Sequence, residues 1–261
     1  MEIKIGCTGW SYEGWHGTFY PKTLENKNYL KYYSEVFDFT EINSTYYKIP
    51  NQSMTRKWYS DTPKKFRFSA KFPKIITHEN RLKDVQSHVI EFIRALAPIK
   101  QKLIALVLQL PPSLSFSEAR PRLQELFSYL PEYYLYPIEG RHESWFSADT
   151  IQFLRQNNWC LVWNDVQGVN NPAPVTSNYV YLRLIGDRSI PEERFGKIQR
   201  DRSSEIERWC SKLKQLDVDA YVLANNHYQG FAPATANLIR EQFGMAELLW
   251  EEKRQKKLGE F

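Results

Sequence analysis

The chain has 261 residues, 42% of them hydrophobic and 25% charged, a balance that suits a globular protein and leaves no room for a long disordered segment. The net charge of +5 mildly favours anionic partners, but the basic residues are not gathered into the stripe that a nucleic-acid surface needs. The longest apolar run, 103–108, is far short of the roughly 20 residues that cross a bilayer, and the charged opening Met1-Glu2-Ile3-Lys4 has no apolar signal core.

These features predict a cytoplasmic protein. Cys7, Cys160 and Cys210 are odd in number and lie far apart in apolar segments. They read as buried thiols, not as a disulfide frame or a metal site. No Gly/Ser or charge-run linker divides the chain, which predicts one domain over residues 1–261. The final stretch mixes Lys253, Arg254, Lys256 and Lys257 with Glu251, Glu252 and Glu260 and reads as a solvated tail.

In chain order, short apolar or β-branched runs predict strands at 3–8, 39–43, 66–71, 103–110, 134–139, 159–163, 179–185 and 220–225. Their composition suits strands covered on both faces. Amphipathic stretches between them predict helices near 26–36, 53–60, 80–97, 117–130, 147–156, 201–216 and 233–243. Ser117 and Ser147 are placed to cap two of these, and Pro233 stands where its missing N–H costs nothing. The connection 164–178, with Asn170, Asn171, Pro172 and Pro174, has no helical period and reads as a long loop. The fold class expected is therefore α/β, a (β/α)8 TIM-type barrel with an irregular connection in place of a helix after strand six. An open doubly wound sheet is the alternative, but Gly6-Cys7-Thr8-Gly9-Trp10 is not its glycine signature.

Barrels of this kind bind ligands where the strands end. Period two puts Glu41 with Asn43 on one face of strand two and Arg67, Ser69 and Lys71 on one face of strand three. Gln109, Glu139, Asn164, Asp165, Arg183 and Asn225 stand at the ends of the later strands. Charge inside a barrel is costly unless paired or wetted by a ligand cavity. Glu41 and Glu139 against Lys71, Arg67 and Arg183 would supply such pairing, either as a purely structural network or as the floor of a pocket. Lys71 is a candidate base or Schiff-base amine, and Glu41 with Glu139 a candidate acid/base pair, although strands two and five lie across the barrel from each other. His78 and His142 are candidate proton carriers in the third and fifth loops. Tyr46, among the loop aromatics, could stack on a sugar ring. The seventh and eighth loops, with Gly186 and the helix entrance at Ala232-Pro233, offer a position where barrels hold phosphate.

These residues carry a resemblance to the YecE-like family, also called domain of unknown function 72. The matching segments include Gly6-Cys7-Thr8-Gly9-Trp10-Ser11-Tyr12, Glu41-Ile42-Asn43-Ser44-Thr45-Tyr46-Tyr47, Phe68-Ser69-Ala70-Lys71, Gln109-Leu110-Pro111-Pro112, Glu139-Gly140-Arg141-His142, Asn164-Asp165, Tyr181-Leu182-Arg183 and Asn225-Asn226. The resemblance implies a TIM-type barrel in a bacterial or archaeal cytoplasm, loosely related to sugar isomerases. It supplies no reaction and no cofactor.

The leading expectation is an enzyme for a small polar or anionic molecule of the sugar or sugar-phosphate type. In it Glu41 or Glu139 exchanges protons, with Lys71 and His142 among the catalytic candidates. Asn43, Tyr46, His78, Gln109, Arg141, Asn164, Asp165, Arg183 and Asn225 are its candidate ligand-binding residues. The alternatives are a metal-dependent isomerase or endonuclease-like phosphodiesterase and a nucleic-acid binding module. No firm metal signature is present, and Lys71 and Arg183 would repel a cation.

Overall fold

The computed structural model describes residues 2–250. Eight parallel strands form one sheet: β1 Ile3–Thr8, β2 Phe39–Ile42, β3 Arg67–Lys71, β4 Leu103–Gln109, β5 Ile138–Glu139, β6 Trp163–Val166, β7 Tyr179–Gly186 and β8 Asp219–Ala224. Their order is β5-β4-β3-β2-β1-β8-β7-β6. The ends of that row meet just before β6, where Ile138 N donates to Cys160 O at 2.8 Å and Val162 N to Ile138 O at 2.9 Å. This single bridge, Ile138 with Leu161, brings the two ends together, so the barrel is nearly closed.

The helices are α1 Tyr29–Val36, α2 Ser44–Tyr47, α3 Gln52–Ser60, α4 Gln86–Leu96, α5 Phe116–Tyr129, α6 Ala148–Gln156, α7 Ser203–Lys214, α8 Asn226–Gln229 and α9 Ala232–Gln242. Ser147 Oγ caps α6 by accepting from Thr150 N at 3.3 Å, and Pro233 sits in the first turn of α9. Several details differ from the sequence reading. The strand expected over 134–139 narrows to β5, and the one expected over 159–163 begins later, at β6. The cap of α5 is Ser115, not Ser117, so the helix begins earlier. The helix expected over 80–97 is shortened to α4, because Arg81, Leu82 and Asp84 take positive φ of 50°, 66° and 54° that no right-handed helix accommodates. A π-helical turn, Ile75–Glu79, precedes that break. The connection after β6 carries no helix over 167–178, as expected.

Two apolar layers follow from the period of the strands. Outward residues such as Ile5, Ile42, Phe68, Leu106, Leu182 and Val222 pack with the helices. Phe39, Ala105, Val107, Val162, Tyr179, Tyr181 and Leu223 fill the barrel interior. Gly6 is required there, because a Cβ would stand 2.1 Å from Phe39 O on the neighbouring strand. Gly6→Ala is expected to cost about 1–3 kcal/mol by prising β1 from β2, read as a lower urea midpoint with an unchanged m-value. The basic C-terminal cluster from Lys253 to Lys257 lies outside the described residues. Among the described residues no helix is long and apolar enough to cross a membrane.

Candidate functional site

Above the apolar filling, the next inward residues are polar. Register places Thr8 beside Glu41, Glu41 beside Ser69, Gln109 beside Glu139 and Asn164 beside Arg183. Alternation along each strand therefore delivers these side chains to one level of the barrel.

Arg183, only 1% exposed, joins the two carboxylates across that level. Its Nη2 donates to Glu41 Oε1 at 2.6 Å and its Nη1 to Glu139 Oε2. Tyr181 OH donates to Glu41 Oε2 at 3.0 Å and lies 2.7 Å from Ser69 Oγ. Arg141, in the loop after β5, closes on Glu139 Oε1 with Nε at 2.7 Å and Nη2 at 2.6 Å. All four carboxylate oxygens are thus occupied. Burial opposes the charged form of Glu139, but Arg183, Arg141 and Lys71 outweigh it and hold its carboxyl well below the usual range. Arg183 stays charged despite its burial because Glu139 and Glu41 face it.

Lys71 is different. Its Nζ donates to Gln109 Oε1 at 3.0 Å, and Arg183 Nη1 approaches the same oxygen at 3.4 Å. Among the described residues no carboxylate lies within ion-pair distance of Lys71, since both nearby glutamates are spent on arginines. Three cations, Arg183, Arg141 and Lys71, share two carboxylates, Glu41 and Glu139. Burial first, and the Arg183 charge second, lower the Lys71 amine from its ordinary 10.5 to about 7, against the pull of Glu41 and Glu139.

Over this floor opens a cavity of about 690 Å³, a volume ordinary for small-molecule sites. Of the expected ligand-binding residues, Asn43, Tyr46, His78, Gln109, Arg141 and Asn225 line it, as does Lys71. Asn43 Oδ1 is buried and meets no hydrogen-bond donor among the described residues. Asn225 donates to Thr8 Oγ1 at 2.8 Å and accepts from His227 N at 2.9 Å, which fixes its amide. His78 sits in the π-helical turn, with Nδ1 2.9 Å from Thr77 Oγ1 and its ring edge-on to Tyr46. Burial, Arg141 and Lys71 lower its pKa from 6.5. Glu41, Glu139 and Arg183 lie beneath the cavity and do not line it.

Other expected residues are drawn elsewhere. His142 is engaged with Ser144, its Nδ1 2.9 Å from Oγ and 3.2 Å from N, and caps a short turn outside the cavity. Asn164 is buried and accepts from Asn171 Nδ2 at 3.1 Å. Asp165, one residue on, points outward, where it accepts from Trp209 Nε1 at 2.7 Å and Tyr228 OH at 2.8 Å. Arg67 stands at the opposite end of β3 and donates to the carbonyls of Lys64 and Phe66. It therefore forms no part of the expected pairing. The phosphate position at α9 is also filled from within: Asn226 Oδ1 accepts from Ala232 N at 2.9 Å, and a Cβ on Gly186 would meet His227 O at 2.5 Å.

The loop aromatics divide. Trp10, Tyr12, Tyr46 and Tyr47 line the cavity, whereas Trp15, Phe19 and Tyr20 pack inward, Tyr20 stacking on Tyr29 at 3.9 Å. Trp145 is also structural, its Nε1 donating to Leu114 O at 3.0 Å. Sequence reasoning missed Trp58, from α3, and Arg188, Glu192 and Phe195, from the long connection after β7. The length of that connection was the available signal. Among the described residues no group of three His, Cys, Asp or Glu side chains is arranged to hold a metal ion.

Comparison with known proteins bears on the family and on the barrel fold. The family model described as "Protein of unknown function DUF72" matches residues 4–258. The UPF0759 protein YecE of Escherichia coli K12 is 30% identical over 145 residues, which is 56% of this chain and 50% of YecE, so this match spans half the relative's length. The UPF0759 protein YunF of Bacillus subtilis is 24% identical over 260 residues, covering 88% of this chain and 90% of YunF. The crystal structure of a DUF72 family protein from Thermotoga maritima superposes with a TM-score of 0.80 at 28% identity, over 94% of this chain and 100% of that one. One from Enterococcus faecalis does so with a TM-score of 0.73 at 23% identity, over 95% and 98%. With its barrel and nearly its whole sequence so matched, the chain belongs to the DUF72 family.

Proposed function

We propose that the barrel mouth is an active site for a small anionic molecule of the sugar-phosphate type, in which Lys71 moves the proton. The observation that carries this reading is the surplus cation: Lys71 lines the cavity with no carboxylate of its own. A negatively charged ligand would complete that balance. Arg141 and Arg188 are the other cations on the wall, against Glu192 as its carboxylate. Asn43, with its unmatched acceptor, and Asn225 are placed to orient hydroxyls, and Trp10 and Tyr46 offer faces for a ring.

The proton-exchange role considered for Glu41 and Glu139 passes to Lys71, because every oxygen of the two glutamates already accepts from Arg183, Arg141 or Tyr181. An amine near neutrality is suited to general acid–base work. The three cysteines are buried thiols, which suits the reducing cytoplasm as the compartment.

The test is calorimetric titration with fructose 6-phosphate and with fructose. The phosphorylated sugar is expected to bind at least about tenfold more tightly, and Arg141→Ala to lose about 10- to 100-fold of that affinity, the worth of a charge-assisted hydrogen bond. Equal binding of the two sugars overturns the reading. So does a higher affinity for short DNA that falls steeply with salt, which would select the nucleic-acid alternative.

A further inference from the structure

We propose that Lys71 is a nucleophile as well as a proton carrier: its amine adds to the aldehyde or ketone carbonyl of a phosphorylated ligand and forms a Schiff base. The inference rests on the functional reading above and names its substrate class, phosphorylated carbonyl compounds.

Geometry carries the argument. A lysine paired with a carboxylate keeps its proton and has no lone pair to offer. Lys71 has Gln109 Oε1 instead, a neutral acceptor at 3.0 Å that takes one N–H and orients the nitrogen without holding it charged. Arg141 and Arg183 stand close by and disfavour a further positive charge. A desolvated lysine beside another cation is the arrangement that frees an amine for attack on carbonyls. The lowered pKa agrees with this placement.

The surroundings supply the remaining steps. Arg141 and Arg188 can hold the phosphate on the cavity wall. The Lys71 nitrogen then forms a bond to the carbonyl carbon as the C=O π pair moves to oxygen, and one N–H proton passes to that oxygen, giving a neutral carbinolamine with a lone pair again on nitrogen. A second proton lets that oxygen depart as water while the nitrogen lone pair closes the C=N bond of the iminium ion. His78 lines the same cavity, with Nδ1 against Thr77 Oγ1, and is the group placed to carry protons to the departing oxygen. No oxidant, metal or second substrate is required.

Two measurements on the full chain at pH 7 test the proposal. The first is competitive reductive methylation with limiting formaldehyde and cyanoborohydride, followed by peptide mass mapping. Lys71 is expected to react at least about tenfold faster than the average surface lysine, whose pKa near 10.4 leaves few neutral amines at this pH. The second is incubation with glyceraldehyde 3-phosphate and sodium borohydride. It is expected to add the mass of the aldehyde less one oxygen atom at Lys71. Lys71→Arg, which has no free amine to form the imine, is expected to lose the adduct at this position. Failure of either measurement at Lys71 in the wild-type protein overturns the Schiff base. If fructose 6-phosphate still binds as expected, the anionic site stands without it; if neither sugar is preferred, the site reading falls as well.

Discussion

Arg183→Met is expected to destabilise the protein by about 3–5 kcal/mol, or to leave it unfolded, because it strands two buried carboxylates. Glu41 would keep only the Tyr181 hydroxyl and Glu139 only Arg141. Taking these charges out of water is tolerable only with a partner in place, so the loss exceeds what the ion pairs themselves contribute. Replacing Arg183, Glu41 and Glu139 together by apolar residues of similar volume is expected to recover most of the stability, since no buried charge is then unmatched. Urea denaturation of both variants provides the measurement, and a loss below about 1 kcal/mol for Arg183→Met would show that the cluster is open to water. Acid dependence supplies the sign. The folded pKa of Glu139 is depressed, so its contribution is present above its ordinary pKa of 4.5 and disappears as pH falls below it. That acid-sensitive limb should shrink in Arg183→Met.

Lys71→Met is expected to reduce affinity for fructose 6-phosphate by about 100-fold or more near pH 6.5, where the amine is mostly charged and lies under the ligand. Its pH signature separates it from a merely structural change. In the wild type, affinity should rise as the phosphate gains its second charge near pH 6. It should then decline above about 7 as unliganded Lys71 loses its proton. The variant keeps the first limb and lacks the second. His78 and His227 are both lowered, chiefly by burial, from 6.5, so they do not titrate over the upper limb. Stability should move the opposite way. Between about 7 and 10.5 the unfolded chain binds more protons at Lys71 than the folded one, so wild-type stability gains with rising pH and the variant misses that gain. Calorimetric affinities and thermal melts across pH 6 to 10 check both; a flat wild-type profile above pH 7 would remove Lys71 from the ligand.

Much of this was legible before any coordinates. A period of two along β2, β3, β4, β7 and β8 was enough to set Glu41, Lys71, Gln109, Arg183 and Asn225 facing one end of a barrel. The same rule explains Asn164 and Asp165, which as neighbours cannot both face inward; Asp165 turns to Trp209 and Tyr228. What sequence could not show was the pairing. Five charged residues were visible, but only geometry reveals that Arg183 reaches both glutamates and leaves Lys71 over. Loop residues were hardest, because no period governs them. His142 turned back to Ser144, while Arg188 and Phe195 came in from a connection whose path depends on Gly14 and Gly196 touching backbone to backbone.

The clasp between Arg183 and the glutamates of β2 and β5 has a mechanical consequence. It spans the barrel like a hub with spokes, so the rim cannot flatten into an oval without breaking buried bonds. Rigidity at that height insulates the amine from whatever happens in the turns above. Changes in the connections after β1, β2 and β7 could then alter which molecules are admitted while leaving untouched the way an admitted molecule is handled.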